Sequence, residues 1–177
     1  IGSGTVLNYD LEEAANEVNK ENRRVADALG INPAARTTTI KPSGTSSCVL
    51  GSSSGIHAWH NDFYIRRQRV GKNEALYGYF AEHHPELVED EYFNPAEQAV
   101  IEIPQAAPEG SILRTESPLQ LLDRVRRYNT EWVAPGHQDG QNSHNVSCTI
   151  SLKEDEWELV GEWMWKNKDH YNGLSVL

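Results

Sequence analysis

The sequence predicts an α/β protein in which strands alternate with helices around a largely parallel sheet. Three observations carry this expectation. Residues 37–50 read as a strand, a small hydroxylic turn and the opening of a helix. Residues 146–152 alternate apolar and polar side chains with the period of a strand. Amphipathic helical stretches are written before residue 37, after Ser117 and again after Glu154.

In chain order, Ile1 to Tyr9 reads as a loop or a strand remnant. Asp10 then supplies an N-cap for a helix whose apolar face takes Leu11, Ala14, Ala15, Val18, Val25 and Leu29. Gly30 and Pro33 end it. Arg23 and Arg24 complement the dipole near its C-terminal part, with phosphate binding as the alternative. The β-branched run Thr37–Ile40 has the composition of a short strand, and Pro42, lacking an N–H, stops its ladder. Cys48, Val49 and Leu50 then form the first apolar turn of a helix.

Asp62 to Val70 alternates as a strand and is closed by Gly71-Lys72. It carries Arg66, Arg67 and Arg69, for which pairing with the acidic stretch further on is expected. Asn73 caps a short helix through Phe80, and Pro85 breaks it. Glu86 to Glu97 reads as an acidic surface excursion with a turn at Asn94-Pro95. Gln98–Ile103 is a strand bounded by Pro104 and Pro108. Ser117-Pro118 opens a helix with Leu121, Leu122, Val125, Tyr128 and Trp132 on one face, and Pro135-Gly136 ends it. After the polar turn Gln138–Asn142 comes the most regular strand, with Val146, Cys148, Ile150 and Leu152 on one side. The last helix, from Glu154 to Asn167, turns Trp157, Val160, Trp163 and Met164 inward, and Tyr171–Leu177 becomes apolar again like a further strand.

Composition narrows the function classes. With 177 residues, 38% apolar and 24% charged, the chain has the make-up of a globular protein with a real core. A formal net charge of −10 excludes a general nucleic-acid coat, which needs clustered Lys and Arg, but not a small phosphorylated ligand held by local donors. No window approaches a membrane-spanning run of apolar residues, and no signal-peptide pattern opens the chain. The absence of an initiator Met leads us to expect a chain that begins partway through a longer product, to be read as 1–177, a single partial domain. The two cysteines, Cys48 and Cys148, form neither a disulfide framework nor a zinc knuckle and predict a reducing cytoplasm. His57 and His60, three apart, sit between loop-forming residues; a metal reading for them lacks a third ligand.

The chemistry-bearing stretch is 37–57. A strand, a Ser/Thr/Gly turn and a helix start make an anion site, because the first N–H groups of a helix point outward, the dipole favours negative charge and hydroxyls add donors. Gly44 lets backbone approach a phosphate with no Cβ in the way. The same residues also suit an ordinary Ser/Thr N-cap, and the Gly-x-x-x-x-Gly-Lys-Ser/Thr loop of nucleotide hydrolases is not present.

Lys41-Pro-Ser-Gly-Thr-Ser-Ser47, followed by Gly51-Ser-Ser-Ser-Gly-Ile-His57 and Tyr64-Ile-Arg-Arg67, resembles the large catalytic chain of ribonucleotide reductases. The longer form of the turn is most similar to the adenosylcobalamin-dependent class II branch, including phage-encoded members. The resemblance implies the C-terminal part of a ten-stranded α/β barrel in which ribonucleotides become 2′-deoxyribonucleotides by radical chemistry. It implies that Ser43, Gly44, Thr45 and Ser46 hold the phosphates of a ribonucleoside di- or triphosphate through hydroxyls and backbone N–H groups. It implies adenosylcobalamin, bound mainly by parts outside this chain, together with the remaining part of the reductase chain and a thioredoxin-type reductant as partners. The family's Asn-x-Cys-x-Glu pattern is not found, so no catalytic residue is assigned, and neither Cys48 nor Cys148 receives a redox role. Such a chain would be inactive by itself, in the host cytoplasm if phage-encoded. A single Tyr171 in 170–177, where class I chains carry an adjacent tyrosine pair, favours class II. The alternatives are a class I large-subunit fragment and a nucleotide-phosphate-binding module without catalysis.

Overall fold

The computed structural model describes residues 9–44 and 46–177 and divides into two compact units. One takes in Ile1–Trp59 and Glu109–Leu177, the other His60–Pro108. The loop expected over Ile1–Tyr9 lies, but for Tyr9, outside the described residues, and so does Thr45.

The first unit opens with α1, Leu11–Leu29. The Asp10 carboxylate accepts from the Glu13 N–H, and Gly30 closes the helix at φ 66°, where a Cβ would be strained. The buried face differs from the expected one. Ala15, Asn19 and Ala26 are buried, while Ala14, Val18, Val25 and Leu29 are exposed. Asn19 decides the rotation: its amide donates to the Pro135 carbonyl at 2.8 Å, and its Oδ1 accepts from Thr37 Oγ1 at 2.6 Å. A polar residue with both ends satisfied can be buried, and apolar neighbours at the rim then stay outside. Arg24 pairs with Glu21, and Arg23 donates to Gln138, so neither is given over to an anion.

Thr37–Ile40 is extended but builds no ladder beyond single bridges from Arg36 to His137 and from Ile40 to Val146. Side chains replace the strand neighbours here. His144 Nδ1 donates to the Thr38 carbonyl and Trp132 Nε1 to that of Thr39. Thr38 Oγ1 reaches the Trp132 carbonyl at 2.6 Å. The most regular predicted strand behaves similarly. Val146, Cys148 and Ile150 are buried as expected, yet only β4, Thr149–Ile150, forms a ladder, parallel to β5, Ser175–Val176. The helix α4, Pro118–Tyr128, carries the capping box between Ser117 and Gln120 and buries Leu121, Leu122, Val125 and Tyr128. A π-helical turn, Asn129–Val133, extends it. In α5, Trp157–Lys166, Val160 is buried and Trp163 and Met164 pack on the core, but Trp157 is exposed because it begins the helix after a 3₁₀ turn.

The second unit is an antiparallel sheet, a correction to the largely parallel sheet predicted. β1, Phe63–Gly71, pairs along its whole length with β3, Gln98–Ala106, and β2, Val88–Asp90, adds to the other side of β3. The signal was in β1 itself, whose alternation of exposed and half-buried residues is that of a sheet wet on one face; buried parallel strands are near-continuous apolar runs. Pro104 does not end β3. Beyond Ile101 the strand has β1 as its only described neighbour, so a missing N–H on the other side breaks no ladder. The helix α3, Ala75–His83, has Glu74 rather than Asn73 at its N-cap position, with no side-chain capping bond, and outlasts Phe80. The acidic excursion contains β2, and the arginine pairing expected of it holds: Arg67 meets Glu89 and Glu102, and Arg69 meets Glu91. No helix among the described residues is long and apolar enough to cross a membrane.

Candidate phosphate-binding turn

Ser43, Gly44 and Ser46 form the described part of the predicted site. Ser43 is half-buried, and its hydroxyl oxygen accepts from the Ser47 N–H at 3.1 Å. Its carbonyl accepts twice, from Ser47 Oγ at 3.0 Å and from Ser54 Oγ at 2.9 Å. Ser43 therefore caps α2, Ser46–Val49, while its carbonyl is tied inward. The helix is four residues long, not the longer apolar helix expected. Gly51 at φ 61° ends it, and Val49 and Leu50 face outward, 87% and 78% exposed.

Gly44 is exposed and lies outside the left-handed region, and a Cβ built on it meets nothing within 4 Å. Neither backbone conformation nor internal space requires glycine there. Gly55 is the opposite case: its φ is 60° and its Cβ would sit 3.3 Å from Pro42 backbone. Segment 51–55 thus folds back against 42–43, and glycine permits the approach.

His57 follows this loop and works within it. Its Nε2 accepts from the Thr149 N–H at 3.0 Å, and Nδ1 faces the Ser54 carbonyl at 2.8 Å. Both ring nitrogens are engaged by backbone, which leaves no lone pair for the metal weighed at His57 and His60; His60 instead lies edge-on to Tyr64. No cluster of three metal-ligating side chains occurs among the described residues. Within the same unit, a cleft of about 270 Å³ is lined by His57, Arg114, Glu116, Ser117, Thr149 and Ser151.

Sequence reasoning missed the ion pair that braces this region. Arg124 and Glu116 are 9% and 10% exposed, and Arg124 Nη1 also donates to the Ile56 carbonyl at 3.0 Å. The signal was available: Arg124 lies three residues after Leu121 and four before Tyr128, on the buried face of α4. Cys148 is buried among core residues, and burial pushes its thiol up to about 11, as an inert cysteine requires.

No protein-family model matches the chain. It is 29% identical over 140 residues to a probable adenosylcobalamin-dependent ribonucleoside-triphosphate reductase of Dictyostelium discoideum, a match covering 76% of this chain and 16% of that protein. It is 29% identical over 144 residues to the adenosylcobalamin-dependent ribonucleoside-triphosphate reductase of Euglena gracilis, covering 80% and 18%. A 51-residue segment is 41% identical to the corresponding enzyme of Lacticaseibacillus paracasei, covering 29% and 7%. A crystal structure of a B12-dependent (class II) ribonucleotide reductase superposes with a TM-score of 0.74 at 22% identity, over 94% of this chain and 22% of that one. The fold is therefore that of a portion of a ribonucleotide reductase. The particular resemblance is to the adenosylcobalamin-dependent class II reductases, and the chain spans less than a fifth of the length of the first two relatives.

Proposed function

We propose that residues 1–177 are the C-terminal portion of the ten-stranded catalytic barrel of an adenosylcobalamin-dependent ribonucleotide reductase. In this reading Ser43, Gly44, Thr45 and Ser46 receive the substrate phosphates. The substrate class is a ribonucleoside triphosphate, because the curated relatives carry that substrate in their names. The remaining part of the reductase chain, a thioredoxin-type reductant and a cytoplasmic setting complete the proposal.

The observation that carries the phosphate role is Gly44. It is an exposed glycine that the fold does not need, beside a serine whose carbonyl is already occupied. With that carbonyl tied inward, the hydroxyls of Ser43 and Ser46 can turn their protons toward a ligand. These suit an anion and hold it in one orientation, which matters when one C–H bond must be met and no other.

Adenosylcobalamin, when bound, supplies the radical chemistry of such enzymes. His57, with both ring nitrogens hydrogen-bonded to backbone, would offer it no free nitrogen. The cofactor would be held mainly outside this chain. The residues of this chain bind and orient.

The test co-expresses the chain with the segment that precedes it and measures ribonucleotide reduction with and without adenosylcobalamin. Gly44→Ala should leave stability unchanged and weaken triphosphate binding about tenfold, the scale of one or two lost charge-assisted hydrogen bonds. Unchanged binding in Gly44→Ala and in Ser46→Ala would refute the phosphate role. Turnover indifferent to cobalamin but dependent on a metal-containing second subunit would move the enzyme to class I.

A further inference from the structure

Three hydrogen bonds in series join the parallel strand to the phosphate turn. The Thr149 N–H donates to His57 Nε2 at 3.0 Å, His57 Nδ1 meets the Ser54 carbonyl at 2.8 Å, and Ser54 Oγ donates to the Ser43 carbonyl at 2.9 Å. Ser43 Oγ in turn accepts the Ser47 N–H at 3.1 Å. A backbone N–H can only donate and a carbonyl can only accept, so the ring is fixed as the neutral tautomer with its proton on Nδ1.

We propose that His57 is the positioning residue of the 43–47 turn, holding it in register with the strand at Thr149; as a claim about substrate it rests on the phosphate reading above. The ring does what few side chains can. It presents one donor and one acceptor at two edges of a rigid plane and ties the loop to Thr149, 92 residues further along the chain, where no ladder among the described residues joins the two. The loop's own backbone reaches the turn, the Ser52 N–H donating to the Ser47 carbonyl at 2.9 Å, and it is the His57 ring that carries this connection on to Thr149. The Arg124 bond to the Ile56 carbonyl fixes the adjoining residue, so it restrains where the loop arrives, while His57 restrains where the turn points. Placement of this kind acts on ligand affinity through pre-organisation and not through contact.

The experiment uses the whole chain, with His57→Leu, which removes both ring bonds, and His57→Gln, which can restore an acceptor for Thr149. Tripolyphosphate affinity is measured by calorimetry, amide exchange at Ser47 and Thr149 by NMR, and the ring nitrogens by ¹⁵N shifts. The wild-type ring should show a protonated Nδ1 and a bare Nε2. His57→Leu should weaken tripolyphosphate binding about tenfold and speed Ser47 exchange by a similar factor, with His57→Gln recovering most of both. Unchanged Ser47 exchange in His57→Leu would overturn the proposal, and if Gly44→Ala still lost binding the phosphate reading would survive. If tripolyphosphate does not bind the wild type, that reading falls, and Ser47 exchange alone decides whether His57 positions the turn.

Discussion

The two units are held together by different means. The first gathers Ile40, Ile56, Leu122, Val125, Val146, Ile150 and Val160 into one buried cluster, onto which α4, α5 and the strand at 146–150 all pack. The second buries Val70, Ala99 and Ile101, with Tyr77, Phe80, Val88 and Ile103 around them. It relies instead on a nine-residue antiparallel register and on arginine–glutamate pairs across its wet face. The difference follows from how each is built. In the first unit, where ladders are short, close packing holds the segments in place. A sheet with a nine-residue register can rest on its ladder, since backbone bonds are indifferent to most substitutions on the exposed face.

The sharpest way to break this comparison is Gly136→Ala. A Cβ there would collide with Thr38 Oγ1 and sit 2.8 Å from Thr38 Cβ, and Thr38 is 3% exposed with its hydroxyl committed to Trp132. We expect about 3 kcal/mol of destabilisation or more, read from urea unfolding. Next in size is Leu122→Ala, fully buried in the larger cluster, at about 3 kcal/mol. Ile101→Ala, equally buried in the second unit, should cost nearer 2 kcal/mol, because a small cluster collapses more readily around a cavity. Equal costs would erase the contrast between the two cores.

Glu91 gives the second unit a pH dependence. The N–H groups of Asn94 and Phe93, with Arg69, hold its carboxylate below the ordinary range against the cost of burial. Its contribution is thus complete above the unfolded carboxylate value and is lost as pH falls through the lower folded value. Protection of the Phe93 and Asn94 amides should fall on acidification through that window, and Glu91→Gln should abolish the dependence. Cys148 should resist iodoacetamide at neutral pH until the protein is unfolded, as peptide mass spectrometry would show, because its thiol is pushed up to about 11. The smallest effect belongs to Arg67→Ala. Its guanidinium is 57% exposed, so losing its pairs with Glu89 and Glu102 should cost only about 0.5 kcal/mol by urea unfolding.

Much of this was legible because it is local. Asp10 and Gly30 mark the ends of α1, and Ser117, Pro118 and Gln120 mark the start of α4, through bonds that span three or four residues. The alternation at 146–150 placed Cys148 inside, and the arginines after Tyr64 were expected to pair with the acidic stretch, as Arg67 and Arg69 do with Glu89 and Glu91. Only tertiary structure could decide that α1 rotates to bury Asn19 and that Thr37–Ile40 is served by side chains instead of a ladder. Each depends on a partner about 20 to 120 residues away, and composition carries no record of which carbonyl a distant indole or imidazole will reach. His57 is the clearest instance. Its sequence neighbours marked it as a loop residue, and its two hydrogen bonds, to Ser54 and across to Thr149, exist only once the strand has been brought beside the turn.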